Sequence, residues 1–237
     1  MTPRQTRAFG QVGAFQVRLL QTGSKPPEGL RLTGAERWGW ELMRRTSAPA
    51  RLLTKVVAAD EPALFDEPFL MWSGEGAGAP LSAPERRGLA QFIQLGGVLV
   101  VDDWDPDGGA FSAYARRELA ELLPESSPLP LRSDHVVYKT YYLVDRARGR
   151  VEGPKQIEAI VRGGYAQVLF LRHDLLGALA RTRAGGWAFA VEPGGFMQRE
   201  YAVRLAVNIA MYVLCSDYKD DQVHVAWLLR RGAPFSP

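Results

Sequence analysis

Three aspartates alternate directly after an apolar run in the middle of the chain: Asp103, Asp105 and Asp107. This spacing is that of the first half of a calcium loop, in which alternate side chains of a tight turn converge on one cation. The twelfth position of such a loop needs a bidentate Glu, and here it is Tyr114, which excludes an EF-hand. Two interpretations are left: a solvated turn, which Asp, Pro and Gly favour, or a looser calcium or magnesium site among Asp102, Asp103, Asp105 and Asp107.

Two of the histidines lie beside carboxylates. His173 precedes Asp174 and follows an apolar run, while His135 follows Asp134 in a loop. Either imidazole could act as a general base that the adjacent carboxylate orients, although a lone His is more often structural. If the protein is an enzyme, the candidate catalytic residues are therefore Asp103, His135 and His173.

A glycine-rich loop follows another apolar run and begins at Ser73, Gly74 and Glu75. Such loops can hold phosphate with their backbone N–H groups, but this one matches neither the dinucleotide nor the P-loop pattern. Glu75 would repel an anion, and Ser73 lacks the G-x-S-x-G elbow of serine hydrolases. We take the following as candidate ligand-binding residues: Ser73, Gly74, Glu75, Trp104 and Asp174.

Helices and strands alternate along the chain, which is typical of a doubly wound α/β sheet. The strands are expected at 15–20, 52–58, 68–72, 98–102, 157–161, 167–171 and 187–191, with 133–145 partly extended. The helices are expected at 34–47, 82–96, 112–123, 174–180 and 199–214, the first four capped by Thr33, Ser82 with Glu85, Ser112 and Asp174. Because parallel strands joined by right-handed crossovers end at one edge, the ends of 68–72 and 98–102 should lie side by side.

Composition narrows the classes of function. The chain has 237 residues, 46% hydrophobic and 23% charged, which fits a single α/β domain over 1–237 with a core at about 12–231. Of its 29 basic residues 24 are Arg, but they are scattered as pairs on predicted helix faces, with no basic stripe and interleaved aromatic residues, so we expect no nucleic-acid partner. The single Cys215 excludes an internal disulfide, and no segment reads as a signal peptide or membrane span, so we expect a cytoplasmic protein.

Motifs along most of the chain resemble a known group of proteins. They are Pro68–Gly74, Leu81–Glu85 with Gly96-Gly97, Asp102-Asp103, Phe111, Pro124, His135 with Val137-Tyr138, Asp174, Asn208 with Tyr212, and Tyr218–His224. Together they resemble an uncharacterised bacterial family of domains of unknown function, grouped with the class I glutamine amidotransferase-like fold near trehalose-utilisation proteins. The resemblance covers about 12–231 and implies a mostly parallel, flavodoxin-like sheet. Amidotransferases carry a nucleophilic Cys at a strand-to-helix elbow, where this chain has Asp103 and Trp104, so glutamine hydrolysis is not expected.

Two functions follow from these observations. The first is a degenerate, non-amidotransferase scaffold that binds a small molecule or a protein partner at the carboxyl edge of its sheet. The alternative is a metal- or carboxylate-dependent hydrolase, in which the aspartates hold a divalent cation or act as base and a histidine shuttles protons. The second requires a histidine side chain within reach of the Asp102–Asp105 cluster. No other cofactor is expected, and the sequence leaves the oligomeric state open.

Overall fold

The computed structural model describes residues 13–24, 27–105 and 107–231, with side chains to residue 216. The strands are β1 (Phe15–Gln21), β2 (Ala50–Ala58), β3 (Phe69–Gly74), β4 (Val98–Asp103), β5 (Leu129–Pro130), β6 (Glu158–Arg162) and β7 (Tyr165–Leu171). The helices are α1 (Leu32–Thr46), α2 (Ala83–Gln94), α3 (Ala110–Leu122), α4 (Leu175–Leu179) and α5 (Gly195–Arg231).

The strands form one seven-stranded sheet in the order β2-β1-β3-β4-β7-β6-β5. The five strands from β2 to β7 in this order run parallel, while β6 is antiparallel to β7 and β5 antiparallel to β6. Helices cover both faces, which confirms the predicted doubly wound α/β fold. Within the described range, no helix is long and apolar enough to cross a membrane.

The core consists of two layers separated by the sheet. Helices α1, α4 and α5 pack on one face, where Trp38 of α1 and Leu205 of α5 are fully buried. Helices α2 and α3 pack on the other face through Leu89, Phe92 and Leu119. Because both faces are covered, all six residues of β4 are buried, which explains why this strand is a continuous apolar run up to its final aspartates.

Helix α2 begins as its sequence predicts. The side chain of Ser82 accepts a hydrogen bond from the Glu85 N–H, and Glu85 in turn accepts from the Ser82 N–H at 2.7 Å. This capping box satisfies two helix N–H groups that would otherwise have no partner. Glu85 also accepts the N–H of Gly23 at 2.5 Å and thereby ties α2 to the carboxyl end of β1.

Four local predictions were wrong. Thr33 lies inside the first turn of α1, whose N-cap is Arg31, because the Thr33 hydroxyl instead accepts the Arg181 N–H from α4's far end. Ser112 lies in the first turn of α3, where the carboxylate of Asp103 replaces it as the cap. Residues 187–191 make a single bridge, Arg181 with Trp187, rather than a strand, and 133–145 forms turns and a 3₁₀ segment, Val136–Tyr138. The side chains of the Tyr218–His224 motif lie outside the described residues.

Candidate functional site at the carboxyl edge of the sheet

The two polar strand ends lie side by side, as predicted. In the parallel register Ser73 pairs with Asp102 and Gly74 with Asp103, and on the other side Asp102 pairs with Leu171 at the end of β7. His173 and Asp174 follow β7 immediately. The structure therefore brings Ser73, Asp102, Asp103, His173 and Asp174 to one edge.

Asp102 is fully buried, and its carboxylate binds the main chain of the segment that follows β7. Its carboxylate accepts the N–H of His173 at 3.0 Å and the N–H of Leu175 at 2.6 Å. Burial, followed by repulsion from Asp174, raises its pKa to about 7, although the two N–H donors oppose that shift. The carboxylate thus connects β4 to the start of α4, and its side chain does not reach solvent.

Asp103 is equally buried and organises the loop that follows β4. One oxygen accepts the Asp105 N–H at 2.9 Å and the other accepts the Ser112 N–H at 2.8 Å. The second bond places a carboxylate at the N-terminus of α3, where the helix dipole favours negative charge. The carboxylate of Asp105 in turn accepts the Gly108 N–H at 3.2 Å. The side chains of Asp103 and Asp105 therefore stabilise this turn by binding its main-chain N–H groups.

In the described part of the chain, no group of three or more His, Cys, Asp or Glu residues is arranged to hold a metal ion. Each carboxylate oxygen of Asp102 and Asp103 accepts one main-chain N–H group. The metal site among Asp102, Asp103, Asp105 and Asp107 stays a prediction.

Asp174 is a buried carboxylate held by two arginines. It caps α4 from a left-handed conformation, φ 49° and ψ 59°, and accepts the Gly177 N–H at 3.0 Å. Arg31 binds it with two hydrogen bonds of 2.9 Å, and Arg150 donates to the same carboxylate. Two cations on one buried carboxylate satisfy its charge, which makes Asp174 an organising residue of this edge.

Aromatic rings hold Arg31 in place. Its guanidinium lies 4.5 Å from the centroid of Trp104 and 4.6 Å from that of Phe189. The backbone N–H of Trp104 donates to the Gly74 carbonyl at 2.9 Å, and this bond joins the two loops predicted to bind ligand. The indole Nε1 of Trp104 is buried without a hydrogen-bond partner among the described residues. Glu75 lies beyond this contact and is exposed.

His173 is buried, and its ring lies beside Gly153. Its Nδ1 accepts the Arg172 N–H at 3.2 Å, so the proton of the neutral ring lies on Nε2. Desolvation lowers its pKa to about 4, with the Pro154 carbonyl partly opposing the shift. At neutral pH the imidazole is therefore uncharged, and Nε2 carries a proton instead of a basic lone pair. Only its backbone N–H contacts Asp102.

His135 caps the 3₁₀ segment Val136–Tyr138, which packs against α5. Its ring is 6.1 Å from that of Tyr212, and the Tyr212 hydroxyl accepts the N–H of Ala166 at the start of β7. Ala166 is five residues before Leu171, which corresponds to roughly 16 Å along an extended strand. The Nδ1 of His135 accepts the Val137 N–H at 3.3 Å. Among the described residues, no hydrogen bond or ion pair joins His135 to the aspartates.

An open cleft of about 940 Å³ lies at the carboxyl edge, on the side of β5 and β6. Its position follows from Glu158 in its wall, which pairs with Phe170 next to the end of β7. The lining is mostly polar and basic: Pro130, Ser133, Asp145, Arg146, Arg148, Pro154, Lys155, Gln156 and Glu158. A one-water-sized cavity of about 10 Å³, lined by His173 and Gln198, shares Arg146 and Arg148 with the cleft.

Sequence reasoning missed this cleft, because residues 146–154 read as a surface loop. The available signal was the alternation of Arg146, Arg148 and Arg150, followed by Lys155, in a segment with few carboxylates. Three of these cations reach the cleft or its inner cavity, and the fourth, Arg150, turns inward to Asp174.

A model of the family described as a domain of unknown function, DUF4159, matches residues 30–214. The chain belongs to this family. The match runs from Arg31 to the first half of α5 and includes β3, β4 and β7, whose carboxyl ends carry the polar residues. No curated protein matches the chain. The predicted membership of a domain-of-unknown-function family is thereby confirmed, while the likeness to amidotransferases stays a prediction.

Proposed function

We propose that this DUF4159 domain binds an anionic small molecule in the cleft at the carboxyl edge of its sheet and does not transform it. The observation that carries the proposal is the 940 Å³ cleft with Arg146, Arg148 and Lys155 in its wall. Small-molecule sites usually measure about 300–1,000 Å³ and place a few polar groups in a concave surface. Open α/β sheets bind ligands at this edge, at the point where the strand order reverses, which here lies between β1 and β3, and the cleft lies further along the same edge at β5 and β6.

The cations of the cleft are available to a ligand. Lys155 is exposed and has no ion pair among the described residues. Arg146 and Arg148 pair only with the exposed carboxylates of Glu152, at 3.5 Å, and Asp145, at 2.6 Å. The pair of Arg146 with Glu152 is a surface pair of about 0–1 kcal/mol, which a ligand carboxylate or phosphate can replace at little cost. Arg148 is 15% exposed and stacks on Tyr201 at 4.3 Å, which fixes the position of its charge in the wall of the cleft.

The contacts at the sheet edge favour binding over hydrolysis. The carboxylates of Asp102 and Asp103 accept main-chain N–H groups, and His173 holds its proton on the nitrogen that faces the inner cavity. A metal- or carboxylate-dependent hydrolase would need at least one of these groups to reach a substrate or water in the cleft, and all three are buried. On the same grounds we regard the scaffold as a degenerate, amidotransferase-like one, with Asp103 at the elbow.

Titration of the protein with citrate and inorganic phosphate, followed by thermal shift and calorimetry, tests the proposal. We expect one of these anions to raise the melting temperature, because a ligand that binds only the folded state stabilises it. Lys155→Gln should weaken that binding at least about fivefold, since it removes an unpaired cation from the cleft.

The matched control is Lys139→Gln, which removes an exposed lysine after the 3₁₀ segment Val136–Tyr138, outside the cleft. This variant should bind like the wild type. If neither anion binds, or if both variants weaken binding equally, the cleft is not an anion site.

A further inference from the structure

Five residues from distant parts of the chain form a stacked array on the surface of α1, which we call the arginine–tryptophan ladder: Arg44, Trp40, Arg37, Trp187 and Arg181. On α1 the guanidinium of Arg37 lies 3.7 Å from the centroid of Trp40 and that of Arg44 lies 5.1 Å from it. Arg37 is also 5.7 Å from the ring of Trp187. Because residues 37, 40 and 44 share one helix face, the part on α1 alone extends about 10 Å.

Trp187 is enclosed by cations. Arg181 lies 3.3 Å and Arg199 lies 4.1 Å from its ring centroid. Two planar groups this close to one centroid cannot share a face, so they cover both faces of the ring. Trp40 is likewise flanked by arginines three residues before and four residues after it. The two rings therefore separate neighbouring guanidinium groups.

Positive charge is in excess at the ladder. Four arginines contact the two rings, and within the described residues only Glu41 forms an ion pair with any of them, to Arg37 at 2.8 Å. Glu41 is buried and shares its charge with Arg45. Glu36 is exposed on the same helix and pairs with none of the four. Repulsion by Arg37 adds to desolvation in lowering the pKa of Arg181.

From this geometry we infer that the ladder is a docking surface for an acidic polypeptide segment. Arg44 is exposed, and its guanidinium is free to bind a carboxylate with two parallel hydrogen bonds. The other three arginines donate part of their N–H groups within the protein and add positive charge around Arg44. Single-stranded nucleic acid is disfavoured because its bases need free aromatic faces, and the guanidinium groups occupy those faces. Arg and Trp are also the residues that contribute most at protein interfaces, and Met43 beside Arg44 adds exposed apolar surface, at 41% exposure.

The test is fluorescence anisotropy of the full chain with a labelled peptide of about twelve residues that alternates Glu with Leu or Phe. A matched peptide with Gln in place of Glu reports the contribution of charge. We expect the acidic peptide to bind, the Gln peptide to bind at least about tenfold more weakly, and Arg44→Glu to weaken the acidic peptide at least about tenfold. Arg44→Lys should have a smaller effect, because Lys keeps the charge and loses the planar fork.

Arg87→Glu is the matched control, because Arg87 is exposed on α2 at the other face of the sheet. Arg44 has no hydrogen bond among the described residues, and melting curves will show that both variants fold. The inference is overturned if the acidic peptide does not bind, or if Arg44→Glu and Arg87→Glu act alike. It is also overturned if oligothymidylate or phosphatidylglycerol vesicles bind more tightly than the peptide and lose binding in Arg44→Glu.

Discussion

The titration of Asp102 makes the stability of the protein depend on pH. It is fully buried, and its pKa rises from 3.8 to about 7. Between these two values the folded state holds a proton that the unfolded state has lost. The free energy of unfolding therefore decreases as pH rises through this interval, with the full contribution present only at the acidic end. His173 acts in the opposite direction, because its lowered pKa removes stability as pH falls from 6.5 to about 4.

Asp102→Asn separates these two effects, since it leaves His173 unchanged. The amide has one acceptor oxygen for the two N–H groups of His173 and Leu175, so one buried N–H loses its partner. We therefore expect the free energy of unfolding to fall by about 1–3 kcal/mol at pH 5. The wild type must ionise a buried group as pH rises, and the variant need not. The difference in free energy of unfolding between the two proteins should therefore decrease by about 2 kcal/mol between pH 5 and pH 8.

Urea denaturation at pH 5, 6, 7 and 8 measures this difference. Asp105→Asn is the control, because Asp105 is exposed and should show the pH profile of the wild type. Parallel profiles for the wild type and Asp102→Asn would show that Asp102 does not titrate in this range.

At the scale of elements, the position of α1 depends on a glycine. A Cβ at Gly34 would lie 2.2 Å from the carbonyl oxygen of Leu176 in α4. The two helices approach this closely because no side chain separates them. The approach brings Arg31, one residue before α1, to Asp174, one residue before α4.

Gly34→Ala should destabilise the protein by about 1–3 kcal/mol, because backbone must move to admit the methyl group. At a solvent-exposed helix position the same change stabilises a protein by up to about 1 kcal/mol. Whether Gly34→Ala raises or lowers stability therefore tests the close packing of α1 against α4. Gly186→Ala is the control, since the nearest atom to its Cβ is 3.6 Å away. Thermal melts that place Gly34→Ala at or above the wild type would contradict the close approach of α1 and α4.

At the scale of the molecule, Asp174 joins segments that are far apart in sequence. Arg31 is 143 residues and Arg150 is 24 residues from it, and both bind its carboxylate. Removal of one partner leaves a buried charge poorly compensated, which costs more than the pair contributes.

A double-mutant cycle of Arg31→Met and Asp174→Asn tests this linkage. Arg31→Met keeps an unbranched side chain between Trp104 and Phe189, and it should lower the free energy of unfolding by about 2–4 kcal/mol because Asp174 loses a partner. Adding Asp174→Asn to this variant removes the buried charge and should restore part of that free energy. The control cycle uses Arg132 and Asp134, whose side chains are 87% and 64% exposed, and its coupling energy should be under about 0.5 kcal/mol. Additive effects of the first pair would show that Arg31 contributes packing alone.

Local signals in the sequence were sufficient for most of the elements. The capping box of Ser82 and Glu85 and the apolar run of β4 depend on residues within a few positions of each other. The caps at Thr33 and Ser112 were wrong for the complementary reason: Arg181 and Asp103, which lie elsewhere in the chain, supply the competing partners. The strand predicted at 187–191 was wrong for the same reason, because its contacts come from distant residues. In the described structure, arginines stack on Trp187 and no neighbouring strand pairs with this segment.

The sequence by itself determined the α/β alternation and the edge at which Asp102, Asp103 and Asp174 lie, because periodicity and parallel topology are sufficient for both. Only the tertiary structure decided what these carboxylates bind, since hydrogen-bond partners depend on contacts between distant segments. It also decided that scattered arginines, which read as solvated helix faces, stack with Trp40 and Trp187 into one array. Charge patterning along a chain reports neighbours in sequence, whereas a binding surface is made of neighbours in space.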